Sequence, residues 1–512
     1  MSHIQKILIV DYGSQYTQLI ARRVREQKVF SEIINCRSEI TNYDFSAVAG
    51  IILSGGPSSV HDKGAPALDM KLLNLGIPVL GICYGLQLIA HNLGGSVDRS
   101  NRREYGRAMI SLITQSDLLS KVPSGSQVWM SHGDHVRNLP SGFRIIASTA
   151  TVEAAAVANP TGKIYGVQFH PEVSHTEFGD QILRNFLFDI CKCRGDWSAS
   201  SFITESISQI HDTVGKGKVI CALSGGVDSA VVATLLNRAI GKRSVSVFID
   251  NGLLRKNEAK QVVTAFKGQG MQIRHIDASK LFLKRLKGIT NPETKRVKIG
   301  RAFIEIFTDM ASKMGKVDYL AQGTLYPDLI ESQSFKGPSA TIKTHHNVGG
   351  LPKRMKLKLV EPLKELFKDE VRAVGRELGL PAEFIARHPF PGPGLAVRIL
   401  GAVTPERLAI LREADDIFIS ELRSWDLYDK VWQALTVLLP VKSVGVMGDE
   451  RTYESAVALR AVTSQDAMTA DWAHLPNEFL SYVSNRIINE VKGINRAVYD
   501  ISSKPPATIE WE

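Results

Sequence analysis

The sequence predicts an α/β protein of about three domains, and three observations support this fold class. Residues 1–196 alternate short apolar strands with segments of helical spacing. A similar alternation restarts near residue 219 and continues to about residue 387. A stretch rich in proline and glycine at 388–394 then interrupts the pattern. Because continuous apolar strands between helices are typical of parallel sheets, we predict two parallel-sheet domains, at 1–196 and 197–387, and a small α+β domain at 388–512.

The composition sets limits on the class of protein. The chain has 512 residues, of which 44% are hydrophobic and 22% are charged, as in soluble globular proteins. No apolar run is long enough for a transmembrane helix, and the N-terminus shows no signal-peptide pattern, so we expect no membrane association. Five cysteines, an odd number, favour a reducing compartment over a disulfide framework, and we predict a cytoplasmic protein. The net charge of +10 indicates anionic partners such as nucleotides or nucleic acid.

The elements of the first domain follow from its apolar pattern. Strands are predicted at 7–10, 50–53 and 78–82, and a helix at 16–24. The polar stretch 192–201 predicts the end of the domain.

The second domain opens on a glycine-rich loop. Residues 224–229, Ser-Gly-Gly-Val-Asp-Ser, follow the apolar strand 219–223 and precede a segment of helical pattern. Glycines without a Cβ let the backbone approach an anion, and the helix N-terminus points its free N–H groups at the same place. No lysine follows the glycines, so this is not the Walker pattern. The loop predicts a phosphate site at which Asp228 holds Mg²⁺.

The later elements complete this domain and the third one. Strands are predicted at 244–250, 272–277 and 319–324, and a helix at 258–266. The third domain is predicted to hold a helix at 405–422 and several short strands.

A cysteine in the first domain has the surroundings of a nucleophile. Cys83 lies between two glycines, in the sequence Gly-Ile-Cys-Tyr-Gly, after a strand and before a helix. This is a thiol version of the nucleophile elbow, and the helix dipole favours the thiolate. His170 and Glu172 end another strand and suit a general base and its orienting carboxylate. The backbone amides of Gly56 and Tyr84 are candidates for an oxyanion hole.

These residues resemble two enzyme classes. The first domain resembles class I glutamine amidotransferases, which implies a flavodoxin-like fold and attack of Cys83 on the side-chain amide of glutamine. The second resembles PP-loop enzymes of the adenine-nucleotide α-hydrolase type, which split ATP into AMP and pyrophosphate with Mg²⁺.

The order of the domains and several longer strings resemble the glutamine-hydrolysing GMP synthase family over essentially the whole chain. The strings are 11–17, 323–328, 345–352, 387–394 and 504–512. The resemblance implies conversion of xanthosine 5′-monophosphate to GMP, the last step of de novo GMP synthesis, by a homodimer held together by the third domain.

The resemblance also implies three groups of binding residues. Those for ATP are Ser224, Gly225, Gly226, Val227, Asp228, Ser229, Ala230, Val245 and Phe248. Those for the nucleotide substrate are Arg301, Lys504, Ile509 and Glu510. Those of a lid over the adenylation site include His345, His346 and Lys353.

Three alternatives compete with this interpretation. Another PP-loop amidotransferase, such as a glutamine-dependent NAD synthetase, shares the same two kinds of site. A tRNA-modifying PP-loop protein would suit the positive charge, but the sequence lacks a Cys-x-x-Cys pair and a basic, aromatic RNA-binding motif, so no nucleic acid partner is expected. A binding protein with degenerate sites is disfavoured by the intact Cys83, His170 and Glu172.

Overall fold

The structure of the chain is a computed structural model. It describes residues 5–38, 40–41, 43–159, 161, 163–326, 328, 357–447, 450–464 and 469–512. The lid predicted at His345, His346 and Lys353 lies outside the described residues. The chain divides into two compact units, Met1–Ser201 and Phe202–Glu512. No described helix combines the length and the apolar character that a membrane crossing requires.

The first unit is built on an eight-stranded sheet of order β2-β1-β3-β4-β10-β9-β8-β6. Five strands at one side are parallel, and the last three are antiparallel. The strands of this unit are β1 (Lys6–Asp11), β2 (Phe30–Asn35), β3 (Val48–Leu53), β4 (Val79–Ile82), β5 (Ser96–Met109), β6 (Ser111–Leu112), β7 (Gln127–Asn138), β8 (Arg144–Ser148), β9 (Ala156–Asn159) and β10 (Ile164–Val167).

The central strands of this sheet are buried because helices cover them. Every residue of β4 and β10 is buried, as expected for strands in the middle of an α/β sheet. The helices of the unit are α1 (Thr17–Glu26), α2 (Tyr84–Asn92) and α3 (Gly179–Arg184). Strands β5 and β7 lie outside the main sheet and pair antiparallel as a separate two-stranded arm.

The second unit begins with a parallel sheet of order β13-β12-β11-β14-β15. Its strands are β11 (Val219–Leu223), β12 (Ser244–Asp250), β13 (Ile273–Asp277), β14 (Tyr319–Ala321) and β15 (Lys358–Val360). Its helices are α4 (Ala199–Val214), α5 (Val227–Ile240), α6 (Glu258–Gly268), α7 (Ser279–Leu286), α8 (Pro292–Lys313), α9 (Lys368–Glu377) and α10 (Ala382–Ile385). The mixed, mainly parallel sheet of the first unit and the parallel sheet of the second confirm the predicted α/β class.

The C-terminal part of this unit is a mixed sheet with two helices. The sheet contains β16 (Gln433–Met447), β17 (Glu450–Thr463), β18 (Asp471–Trp472) and β19 (Ile494–Tyr499). The helices are α11 (Pro405–Ser424) and α12 (Asn477–Glu490). One apolar core joins this sheet to the parallel sheet, since Ile220 and Val457 belong to the same cluster. The domain boundary at 387/388 stays a prediction.

The prediction of short strands in this region was wrong for β16 and β17. They have 15 and 14 residues and form a long antiparallel hairpin. Pro440 cannot donate to a regular ladder, because proline has no backbone N–H. In the structure the register shifts between Leu438 and Lys442, so Pro440 lies in an irregular segment and the strand continues beyond it.

Candidate active sites

Cys83 occupies a tight turn between β4 and α2. Its backbone has φ 51° and ψ −105°, a conformation that side chains rarely adopt. The flanking glycines are needed because a Cβ on Gly85 would lie 2.3 Å from the Leu53 carbonyl oxygen. A Cβ on Gly81 would lie 2.6 Å from the backbone nitrogen of Leu86. The turn therefore has the close packing that the nucleophile-elbow pattern predicts.

His170 and Glu172 lie beside this turn. Nδ1 of His170 is 2.7 Å from Oε1 of Glu172, and both side chains are buried. Burial disfavours the charged ring, but Glu172 and Cys83 outweigh it and hold the pKa of His170 well above its usual value. The structure thus brings Cys83, His170 and Glu172 together, and the arrangement suits a thiol paired with an oriented imidazole.

Two buried glutamines complete the surroundings of the thiol. Nε2 of Gln168 donates to Sγ of Cys83 at 3.6 Å. Nε2 of Gln87 lies 3.5 Å from Oε1 of Gln168 and donates to the Asp134 carbonyl at 2.8 Å. Sequence reasoning missed both glutamines, although Gln87 lies one helical turn after Cys83 and Gln168 is in the string that contains His170.

The two predicted oxyanion-hole residues border the same turn. Tyr84 is the first residue of α2, where a backbone N–H has no partner within the helix. The Tyr84 ring is buried, and its hydroxyl donates to the Pro66 carbonyl at 2.8 Å. A Cβ on Gly56 would lie 2.9 Å from the Tyr12 carbonyl oxygen, so glycine fits best there. Their role as oxyanion donors stays a prediction.

Hydrogen bonds of Ser224 and Ser229 fix the conformation of the glycine-rich loop in the second unit. Gly225 has φ +83°, which favours glycine. The Ser229 hydroxyl accepts from the Ser224 amide at 3.1 Å and donates to the Gly226 carbonyl at 3.0 Å. Helix α5 starts at Val227, so its N-terminal N–H groups face the loop.

Three further predicted ATP residues lie around this loop. Ala230 is fully buried in α5. Val245 and Phe248 lie on β12, which pairs with the strand that precedes the loop. The ring of Phe248 is buried, and its centre is 5.8 Å from that of His275.

Two cationic side chains that the sequence did not reveal contact the loop. Nζ of Lys368, the first residue of α9, lies 2.6 Å from Oδ1 of Asp228. Arg387 donates to the Gly225 carbonyl at 3.1 Å and to Glu258 at 2.8 Å. The described residues contain no group of three metal-binding side chains, and Asp228 is the acidic residue in the first turn of α5.

The C-terminal tail packs against the mixed sheet. Lys504 and Ala470 exchange two backbone hydrogen bonds, of 2.7 and 3.0 Å. Ile509 is buried in an apolar cluster. Glu510 accepts from Arg398 at 2.8 Å and from Gln433 at 2.6 Å.

Besides Arg398, two further buried cations hold the tail in place. Arg460 is fully buried, and it donates to the carbonyls of Ser502, Thr508 and Ile509 at 2.9 to 3.0 Å. Lys295 on α8 is also fully buried and contacts the Glu512 side chain.

Arg301, the predicted phosphate contact, is exposed on α8. The substrate roles of Arg301, Lys504, Ile509 and Glu510 stay predictions.

Three family models match the chain. "Glutamine amidotransferase class-I" covers residues 8–190, "NAD synthase" covers 199–300, and "GMP synthase C terminal domain" covers 420–511. Together with the two sites, they define a class of protein, a glutamine amidotransferase joined to a PP-loop domain.

Curated relatives match the chain along its length. Proteins named GMP synthase (glutamine-hydrolyzing) from Chlorobium chlorochromatii and Chlorobium luteolum are each 59% identical, over 99% of this chain and 100% of their own. One from Chlorobaculum tepidum is 58% identical over 99% of both chains. This chain belongs to the family of glutamine-hydrolysing GMP synthases. The full-length match and the C-terminal model also decide against the NAD synthetase alternative, although the PP-loop part matches the NAD synthase model.

Proposed function

We propose that the chain aminates xanthosine 5′-monophosphate to GMP in two half-reactions on its own side chains. The overall reaction converts ATP, xanthosine 5′-monophosphate, glutamine and water into AMP, pyrophosphate, GMP and glutamate. The observation that carries the proposal is the arrangement of Cys83, His170 and Glu172 in one unit of a chain whose other unit has a PP-loop.

The first half-reaction releases ammonia from glutamine. Sγ of Cys83 attacks the side-chain amide carbon, and His170 donates a proton to the nitrogen that leaves as ammonia. Water then attacks the thioester, with His170 as the general base, and glutamate leaves. Glu172 holds the imidazole through the 2.7 Å contact to Nδ1, which leaves Nε2 for proton transfer.

The second half-reaction activates the nucleotide. The oxygen on C2 of xanthosine 5′-monophosphate attacks the α-phosphorus of ATP, and the bond to pyrophosphate breaks. Ammonia then adds at C2, and the adenylate leaves as AMP. The loop amides, the Ser224 hydroxyl and the N-terminus of α5 supply donors for the phosphates, so catalysis consists mainly of positioning and charge neutralisation.

Asp228 would hold Mg²⁺ against the phosphates of ATP. Mg²⁺ in such sites is held by one or two carboxylates together with phosphate oxygens and water, and a single carboxylate in the first turn of α5 fits that need. When bound, the ion neutralises charge on the pyrophosphate that leaves.

The homodimer of this proposal uses the outer face of the β16–β17 hairpin. Val444 and Tyr453 are cross-strand neighbours, and both are more than half exposed. Val446, on the same hairpin, is 73% exposed. A second copy of the chain that covers this face would bury these side chains.

The absence of disulfides among the five cysteines supports a cytoplasmic location.

The proposal is tested by measuring GMP formation with two nitrogen sources. Cys83→Ala should abolish formation from glutamine and leave formation from ammonium unchanged. Cys36→Ala, which removes another partly buried thiol that does not belong to the triad, is the control and should retain both activities. Glutamine-supported activity in Cys83→Ala would refute the role of the thiol. The assignment of xanthosine 5′-monophosphate as the substrate would be refuted if pyrophosphate were released with nicotinate adenine dinucleotide and not with xanthosine 5′-monophosphate.

A further inference from the structure

The arm formed by β5 and β7 provides one wall around Cys83. The Ser131 carbonyl oxygen on β7 lies 3.8 Å from Sγ of Cys83. The Trp129 carbonyl accepts from the backbone N–H of His170 at 3.0 Å. The Asp134 carbonyl accepts from Gln87 at 2.8 Å. The arm shares no ladder with the main sheet, so it is held to the rest of the unit by isolated backbone hydrogen bonds, such as those at Trp129 and Gln127, and by side-chain contacts.

A histidine and a glutamate meet on the buried face of this arm. Glu104 and His132 are directly opposite in the β5–β7 register. His132 is 5% exposed, and its Nε2 lies 3.3 Å from Oε2 of Glu104. Thr151 donates to the other carboxylate oxygen and ties Glu104 to a neighbouring loop. The pair therefore links both strands of the arm to the body of the unit.

The contact between the two side chains is incomplete. The Asp134 backbone and the Glu104 carboxylate are polar neighbours of the His132 ring, but neither ring nitrogen nor Oε2 of Glu104 has a hydrogen bond of good geometry among the described residues. A buried polar group without a partner costs about 1–3 kcal/mol. An apolar pair beside Val128 and Met130 would fill the same face without that cost. Fold stability alone is therefore a poor explanation for this pair.

We propose that Glu104 and His132 are positioning residues for glutamine hydrolysis. The pair fixes the arm so that the Ser131 carbonyl stays beside the Cys83 thiol, and its contact shortens to a hydrogen bond when glutamine fills the site. The neutral ring donates from Nε2 to the carboxylate. This inference rests on the role of Cys83 in the proposed function, and neither residue touches the reacting atoms.

The test compares variants that remove or keep the hydrogen-bonding groups. Glu104→Leu and His132→Leu should each lower kcat of glutamine hydrolysis at least about tenfold, with a smaller change in KM, because the thiol is misplaced. Glu104→Gln keeps an acceptor for His132 and should stay within about threefold of the wild type. Glu153→Leu, at an exposed carboxylate of the same unit, is the matched control.

Two further measurements separate positioning from folding. The double variant Glu104→Leu/His132→Leu should lose no more activity than either single variant, because the two residues act as one unit. Alkylation of Cys83 by iodoacetamide should slow in the leucine variants but not in Glu104→Gln. GMP formation from ammonium should be unchanged in all of them.

Three results would overturn the proposal. They are wild-type kcat in Glu104→Leu, additive losses in the double variant, and a loss in Glu104→Gln as large as that in Glu104→Leu while the protein stays folded. If the proposed function itself were wrong, Cys83→Ala would keep its glutamine-supported activity. That result differs from the three that overturn the positioning role.

Discussion

Lys368 and Asp228 form an ion pair next to the glycine-rich loop, with Nζ 2.6 Å from Oδ1 although the residues are 140 positions apart. Asp228 is in the first turn of α5, and Lys368 opens α9. The ammonium lies beside the carboxylate proposed to hold Mg²⁺. When ATP and the ion bind, the carboxylate gains a new partner, and the lysine is placed to move onto a phosphate.

Replacing this lysine should therefore impair adenylation. Lys368→Met should lower the rate of pyrophosphate release with ammonium as nitrogen source by about 10²-fold, comparable to the loss of one donor to a developing charge. Lys368→Arg should keep part of the activity, because it retains the charge but not the compact ammonium. Lys364→Met, at an exposed lysine that precedes α9, is the control. A Lys368→Met enzyme with normal pyrophosphate release would exclude any role in phosphate binding.

Arg460 determines the conformation of the C-terminal tail, because its buried guanidinium donates hydrogen bonds to three tail carbonyls. Arg460→Met keeps most of the volume but leaves these carbonyls without a donor, so we expect KM for xanthosine 5′-monophosphate to rise at least about tenfold. Glutamine hydrolysis measured alone should stay the same. The exposed Lys492, between α12 and β19, gives the control variant Lys492→Met. Unchanged KM in Arg460→Met would mean that the tail does not bind the nucleotide.

Local patterns in the sequence predicted both sites, whereas the contacts that complete them depend on tertiary packing. The turn at Cys83 and the loop at Ser224 can be predicted because a glycine-flanked residue between a strand and a helix has few possible conformations. Lys368 and Arg460 could not be predicted, since each reaches its partner across a long separation in sequence. The length of β16 could not be predicted from local pattern either, because a register shift admits Pro440, which a regular ladder would exclude.

His388 should make the second unit sensitive to acid. Its Nδ1 accepts from the Ala434 amide at 3.2 Å, and Nε2 lies 2.9 Å from the Tyr428 carbonyl, which fixes a neutral ring. Burial lowers the pKa of His388 to about 4. The unfolded chain binds a proton below its ordinary pKa near 6.5, and the folded chain does not. Stability is therefore lost as the pH falls from about 6.5 towards 4, by up to roughly 3 kcal/mol from this group.

Urea unfolding at pH 7 and pH 5 checks this dependence. His388→Asn keeps an acceptor for Ala434 but cannot titrate, so its unfolding free energy should be lower at pH 7 and change less between the two pH values than that of the wild type. His211→Asn changes a mostly exposed histidine and should leave the wild-type dependence intact. Equal pH dependence in the wild type and His388→Asn would show that the ring is not held neutral.

Two helical glycines should respond to alanine with opposite signs. Intrinsic helix propensity favours alanine over glycine by about 1 kcal/mol in a helix interior, and this is the upper limit at Gly268 and Gly85, which lie at helix ends. A Cβ added to Gly268 in α6 would have nothing within 4 Å, so Gly268→Ala should raise stability by up to that amount. At Gly85 the Cβ would lie 2.3 Å from the backbone oxygen of Leu53, which cannot move without distorting β3. Overpacking of this kind costs about 1–3 kcal/mol, so packing overrides propensity there.

Thermal unfolding and activity assays of the two alanine variants test these opposite effects. Gly85→Ala should lower the Tm of the first unit by about 5 °C and reduce glutamine-supported GMP formation, because the turn that holds Cys83 is displaced. Formation from ammonium should persist, since the PP-loop belongs to the other unit. Gly268→Ala should leave glutamine hydrolysis unaffected. If Gly85→Ala were as stable and active as the wild type, the close contact with Leu53 would not be what maintains the strained backbone at Cys83.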